Sequence, residues 1–354
     1  MNQEILGALQ AELSENPSLN LDHEMPRIQL EFKKNWPTKP AILQPLSDAA
    51  KLLIFGTVTD DGVSHNDSNL DRGVRRVLEN ATVITKLLGR GGILRCRDTV
   101  GLDVDIAIKI VPASTNSPKT EYSALQYLAQ HASDFPAPKP HGLLQFVHSK
   151  LIMMSYIPST TLHDVWPSLS RQNKLSIQRQ LDQLFKRLRD LKQQPGGRLG
   201  GVGGEGVSDS HAWVDHADSE TVMTTASEFR DFQFSIEAAC GVEYAAFLKS
   251  LLPHPDPNVT AVFTHGDVFP KNIIVDRDPV RPAEYVVTGI IDWEEAGFYP
   301  PWFESSKVLY TFNEDKRTDM QDWWMYVPDC IAPASYPSEW AVGRLWDKAN
   351  GINV

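Results

Sequence analysis

Residues 273–291 leave the chain little conformational choice. Ile273-Ile274-Val275 and Val286-Val287-Thr288-Gly289-Ile290-Ile291 are two short β-branched runs, and the stretch between them, Arg277 to Glu284, is rich in Pro and Asp. Two such runs around a turn segment predict a β-hairpin. A hairpin returns the chain to its starting end. The residue just before the first arm, Asn272, and the residue just after the second, Asp292, therefore become neighbours. His265-Gly266-Asp267 lies one short loop earlier, on the same side. A carboxylate, a carboxamide and a second carboxylate converge without any long-range assumption.

Those groups are what phosphoryl transfer needs. An attacking hydroxyl must be oriented and must lose its proton, which Asp267 can accept as a catalytic base. Magnesium prefers hard oxygen ligands, which Asn272 and Asp292 supply. The plainer alternative is that Asp267 caps a turn and Asn272 a strand end. A second signal lies upstream. Ile106-Ala107-Ile108-Lys109 predicts a strand with Ala107 and Lys109 on one face. A lysine inside an apolar run must find a partner. Glu121 shares the helical face of Leu125 and Leu128, so it points inward and can provide one; a nucleotide phosphate could provide another. Against this stands a Lys109 that snorkels from an edge strand and a Glu121 that merely complements a helix dipole.

The rest of the chain frames these two signals. Residues 1–80 read as an N-terminal extension, partly helical, with a short amphipathic helix from Glu4 to Leu13 and another from about Asp71 to Leu78. Strands follow at Thr82–Leu88, Ile93–Arg97 and Val104–Val111, with glycine-rich Gly89-Arg90-Gly91-Gly92 between the first two. Ser117-Pro118 opens a helix, Phe135 to Pro140 is an extended connection, and Leu151–Ile157 is a strand stopped by Pro158. Helical spacing then takes over at Leu175, Leu181, Leu184, Leu188 and Leu191. This order predicts an α+β chain in two lobes, residues 81–157 and 158–354. The glycine-rich stretch Gly196 to Gly206 follows a helix and lacks a Gly-Lys-Ser/Thr ending, so it reads as a flexible or tightly turned loop rather than a phosphate cradle.

Composition excludes several classes. The 354 residues carry a formal net charge of −11, which does not suit a nonspecific grip on nucleic acid. No stretch is long and apolar enough to span a bilayer, and Met1-Asn2-Gln3-Glu4 opens no basic leader, so no membrane partner and a cytoplasmic setting are expected. Cys96, Cys240 and Cys330 have no metal-type spacing and suggest no disulfide framework.

Taken together, these residues resemble the aminoglycoside phosphotransferase and choline kinase-like superfamily, relatives of the protein kinases, and most closely its fungal phosphotransferase enzyme branch. The resemblance covers roughly residues 82–310. It implies a bilobal protein kinase-like fold, with a small β-rich N-lobe and a larger, mainly helical C-lobe. It implies a His265-Gly266-Asp267 catalytic loop, magnesium on Asn272 and Asp292, and a nucleotide-binding pair of Lys109 and Glu121. Met153 to Pro158 is similar to the family's hinge, whose backbone meets adenine, which adds Met154 and Tyr156 to the nucleotide site. Gly196–Gly206 and Ser227–Phe229 resemble its substrate-side insertion. The donor implied is ATP, with GTP an open alternative. Ser155 departs from the family by standing where an acidic residue is common. The acceptor implied is a small hydroxylated molecule. Glu294, Glu295, Trp302 and Glu304 would suit a cationic one, unless they are supporting or surface residues. Trp323-Trp324 fits core better than a cleft cover. A protein kinase-like enzyme lacks support from His-Arg-Asp or Ala-Pro-Glu signatures. A repurposed fold that binds nucleotide or metabolite without O-phosphorylation is the other alternative.

Overall fold

Alternation along one strand organises the first lobe. In β4 (Asp105–Pro112) Ile106 and Ile108 are buried on one face, while Ala107 and Lys109 occupy the other. The computed structural model describes residues 40–58, 67–87, 91–97, 105–112, 117–207, 222–235, 241–309, 320 and 322–349. Over these, β4 lies inside a six-stranded antiparallel sheet with β1 (Ala41–Gln44), β2 (Thr82–Leu87), β3 (Gly91–Arg97), β5 (Pro140–Phe146) and β6 (Ser149–Ser155), in the order β1-β5-β6-β4-β3-β2. The Ile106 face packs with Leu151 and Met153 against helices α1 (Asp48–Phe55) and α2 (Asp67–Asn80). The described part of the N-terminal extension thus contributes an edge strand and two helices to the core of this lobe. The expected helix at Glu4–Leu13, the loop residues Gly89 and Arg90, and Cys240 lie outside the described residues.

The Ala107 face turns toward helix α3 (Ser117–His131) and the second lobe. On α3, Glu121, Ala124, Leu125 and Leu128 are buried at helical spacing, so the face that packs also carries the carboxylate. Strand β5 carries no clean alternation, because Pro140 and Gly142 interrupt it, and the expected extended connection, Phe135 to Pro140, ends where this strand begins.

The second lobe is built on α5 (Arg171–Asp190), whose first turn is capped by Ser170 accepting from the Asn173 N–H at 3.2 Å. Its buried stripe is Ile177, Leu181, Phe185 and Leu188. Leu175, taken as part of that stripe from spacing alone, is exposed. The expected hairpin is present as β9 (Ile273–Arg277) and β10 (Tyr285–Ile290), joined to β7 (Thr160–Thr161) in a small sheet. Asp278 fastens its turn by accepting from the N–H groups of Val280 and Arg281. Strands β8 (Val262–Thr264) and β11 (Gly297–Tyr299) form a second pair beside it. Helices α4 (Leu162–Val165), α6 (Ala226–Gln233), α7 (Val242–Ser250), α8 (Phe303–Lys307) and α9 (Pro337–Ala349) complete the lobe. Trp323 is buried against Trp166, whereas Trp324 is half exposed. The molecule is an α+β fold of an antiparallel-sheet lobe and a helix-rich lobe. No helix among the described residues is long and apolar enough to cross a membrane, and Cys96 and Cys330 are free.

Candidate active site

Register at the hairpin's open end sets the first part of the site. Ile290 pairs with Ile273, and the Ile291 N–H donates to the Asn272 carbonyl at 2.9 Å. Asn272 and Asp292 are thereby held on adjacent strands, as the sequence pattern requires. The chain then turns sharply. Asp292 has φ +68°, a left-handed conformation uncommon outside glycine but tolerated by aspartate. The next residue, Trp293, is fully buried and donates its indole N–H to the Ile290 carbonyl at 2.8 Å.

This turn sends Asp292 toward the first lobe. Lys109 Nζ lies 2.5 Å from Asp292 Oδ1, 2.8 Å from Glu121 Oε2 and 3.1 Å from Glu294 Oε2. One ammonium from a strand, one carboxylate from α3 and two from the end of the hairpin thus meet across the cleft. Burial opposes charge on Lys109, yet the three carboxylates outweigh it and hold the ammonium well above its ordinary range. Burial would also raise Asp292, but the adjacent Lys109 charge wins and lowers it. Glu121, the most enclosed of the three, is driven up by burial despite the same lysine. Three carboxylates against one ammonium leave a formal surplus of two negative charges.

Asp267 sits a few residues before the hairpin, on a loop shaped by its neighbours. Gly266 has φ +87°, and a Cβ there would lie 2.8 Å from both the Cβ and the carbonyl oxygen of Glu295. Only glycine fits this conformation and this approach. Glu304, buried on α8, accepts the N–H groups of His265 at 2.8 Å and Gly266 at 3.0 Å. His265 is fully buried against Trp293. Its Nδ1 accepts the Asp267 N–H at 3.1 Å, so its Nε2 carries the proton and donates to the Ile291 carbonyl at 3.0 Å. Burial holds this ring neutral. The imidazole therefore ties the Asp267 loop to the hairpin that carries Asp292.

Asn272 Nδ2 donates to the Asp267 carboxylate at 2.7 Å and to the Asp267 carbonyl at 3.1 Å. Two acceptors on one side fix the amide's orientation and leave its Oδ1 directed elsewhere. The Asp267 carboxyl is pushed up to about 6, first by burial and then by the charges of Glu295 and Asp292, against Lys307 and the Asn272 hydrogen bond. Glu295 itself is paired with buried Lys307 at 3.1 Å.

The hinge is more committed than its sequence suggests. Met154 is buried and paired with Ala107 on one side and Pro140 on the other. The Tyr156 N–H donates to the Asp105 carbonyl at 2.9 Å, and its ring lies 3.8 Å from the Arg95 guanidinium. Ser155 accepts the Lys139 N–H on its hydroxyl at 2.8 Å. Three of the four residues considered for a cationic acceptor are engaged inside the protein: Glu304 with the loop amides, Glu295 with Lys307, and Trp302 under the Arg230 guanidinium at 4.5 Å. Glu294 is on Lys109. The supporting contacts of Glu304 and Lys307 have no local sequence signature, because both act across the fold on the Asp267 loop.

Two lobes that pool a strand lysine, a helix glutamate and the residues of a His-Gly-Asp loop and a following hairpin define a kinase-like phosphotransferase. The sequence pattern described as "Phosphotransferase enzyme family" matches residues 101–323, well over half of the chain, and the chain belongs to that family. Similar solved structures include APH(2″)-IIa in a ternary complex with streptomycin and ATP. It has 11% identity and a TM-score of 0.43, over 69% of this chain and 76% of that one. A second is a protein from Haemophilus somnus 129PT named as a fructosamine-3-kinase, with 10% identity and a TM-score of 0.43, over 75% of this chain and 81% of that one. No curated protein matches the chain.

Proposed function

We propose that this protein transfers the terminal phosphoryl group of ATP to a hydroxyl of a small molecule, with Asp267 as base and magnesium held by Asn272 and Asp292. The observation that carries this reading is the Lys109 ammonium, joined to Glu121 on one lobe and to Asp292 on the other. It marks where the polyphosphate would lie, between the lobes and beside the hairpin end.

The residues fit the metal. Asn272 keeps an amide oxygen outside its bonds to Asp267, Asp292 is ionised, and three carboxylates surround a single ammonium. Bound magnesium would neutralise phosphate oxygens and favour departure of the nucleoside diphosphate. The chain's own part is positional. With one Asp267 oxygen held by Asn272, the other can accept the acceptor's O–H. As the new O–P bond forms and the bond to the diphosphate breaks, the hydroxyl proton passes to Asp267. A carboxylate near 6 is ionised at neutral pH and more basic than an exposed one. Along the hinge, Ile157 follows the committed Tyr156 amide, and its N–H has no partner among the described residues. It can donate to a purine ring nitrogen.

The test is Asp267→Asn. Calorimetry with magnesium and ATP should give affinity within about threefold of wild type, because Asp267 does not touch the lysine cluster. Turnover on an acceptor found by mass-shift screening of hydroxylated metabolites should fall at least about a hundredfold, the loss expected for a general base. Equal turnover by the variant would overturn the base assignment.

A further inference from the structure

The glycine-rich stretch 196–206 is not explained by the nucleotide site, yet Gly200, Gly201 and Gly203 within it are closely fitted against neighbouring atoms. Gly200 exchanges both backbone hydrogen bonds with Phe298 of β11, each at 2.9 Å. The Gly201 N–H closes the loop onto the Gly206 carbonyl at 2.8 Å. The loop is therefore anchored to the second lobe, beside the strand that follows Glu294 and Glu295.

Its tip reaches the other lobe through Glu205, which is buried. One oxygen accepts the Gly203 N–H at 2.8 Å; the other accepts the hydroxyl of Ser123 at 2.9 Å. Ser123 is on α3, two residues beyond Glu121. Two of the loop's glycines, Gly201 and Gly203, are a packing requirement. A Cβ on Gly201 would lie 2.5 Å from the Glu205 carboxylate, and one on Gly203 would lie 2.8 Å from the Ser123 hydroxyl. One turn further along α3, Tyr127 stacks on Phe263 of β8 and meets Phe298 edge-on. The helix that presents Glu121 is thus held to the second lobe at two points, by a carboxylate near its start and by aromatic rings near its end.

We infer that Glu205 is a positioning residue: it latches α3 to the second lobe and so keeps Glu121 on Lys109 whether or not nucleotide is bound. The catalytic part of this inference rests on the phosphotransfer reading; the latch itself does not. A kinase-like helix free to swing would separate Glu121 from Lys109. Here such a swing must break a buried hydrogen bond to a charged group and uncover apolar rings.

The experiment uses the full chain without nucleotide and reads backbone hydrogen exchange of residues 117–131. Glu205→Ala should speed exchange there by roughly tenfold or more, the factor expected from losing a hydrogen bond to a charged group. Glu205→Gln, which can still accept from Gly203 and bond Ser123, should stay near wild type. If the Ala variant fails to fold, Ser123→Ala removes one hydroxyl and should show the same local acceleration. Unchanged α3 exchange in a folded Glu205→Ala or Ser123→Ala variant would overturn the latch, irrespective of any activity. Turnover then tests the catalytic part. Glu205→Ala should lower kcat in the wild-type background and add no further loss to Glu121→Gln. Full additivity would show that Glu205 does not act through Glu121.

Discussion

Glu304→Gln isolates the carboxylate that shapes the loop carrying Asp267. In the native protein, two buried oxygens accept two backbone N–H groups, from His265 and Gly266. Hydrogen bonds to charged groups contribute roughly 1.5–3 kcal/mol each. Glutamine keeps one acceptor and sets its NH₂ against the other amide, so one bond is lost and a buried N–H is left without a partner. The loss is partly offset, because burial disfavours the ionised Glu304 that the substitution removes. The expected destabilisation is about 1–3 kcal/mol, or a melting shift of roughly 1–4 °C for a chain of this size. The larger effect is geometric. A loop that no longer holds Gly266 at φ +87° misplaces Asp267, and a displacement of about 1 Å at a reacting group can cost about a hundredfold in rate. Steady-state kinetics alongside a thermal melt should therefore show kcat down about tenfold to a hundredfold, with KM for nucleotide changed less than about threefold. A folded Glu304→Gln variant with kcat within about twofold of wild type would refute the claim that these two hydrogen bonds position the base.

Four further outcomes follow from the same geometry. The acidic limb of kcat/KM should titrate near the Asp267 value of about 6, activity rising as pH rises and the carboxyl loses its proton. Glu295→Gln removes a neighbouring negative charge and should move that limb to lower pH, and a pH–rate profile with no downward shift would count against the assignment. Gly266→Ala forces a Cβ to within 2.8 Å of Glu295 in a left-handed backbone, so urea unfolding should show a loss of about 2–4 kcal/mol. Asp292→Ala should abolish the magnesium dependence of ATP binding, measured by calorimetry with and without the metal; retention of that dependence would place the metal elsewhere.

What the sequence made legible was whatever short range decides. The β9–β10 hairpin, the strand alternation at Lys109 and the inward face of α3 each depend on residues within a few positions, and each is present in the structure. The family and the α+β class follow from those same segments. What was hidden depends on contacts between distant segments. Glu304 binds amides 38 and 39 positions away, and Ser123 meets Glu205 across 82 positions. Neither partner is marked by its neighbours in the chain. The helix expected at Asp71–Leu78 lies within α2, but β1 and α1 were obscure for a related reason. Their apolar positions acquire meaning only against the outer face of a sheet that the chain has not yet formed. Strand β5 was masked by its own Pro140 and Gly142, whose backbone preferences argue locally against the sheet that its neighbours impose.

The two lobes also divide the electrostatic work unequally. The second lobe supplies Asp292 on a left-handed backbone and Glu294 beside it, and the first supplies Lys109 and Glu121. Without Lys109, three clustered carboxylates would face one another with no counter-charge, and repulsion would open the cleft at the hairpin end. The lysine is therefore a clasp between the lobes, besides the phosphate-binding role proposed for it. The same cluster of carboxylates favours a divalent cation at the hairpin end. The inferred Glu205 latch on α3 acts in the same direction as Lys109, by keeping Glu121 within the cluster.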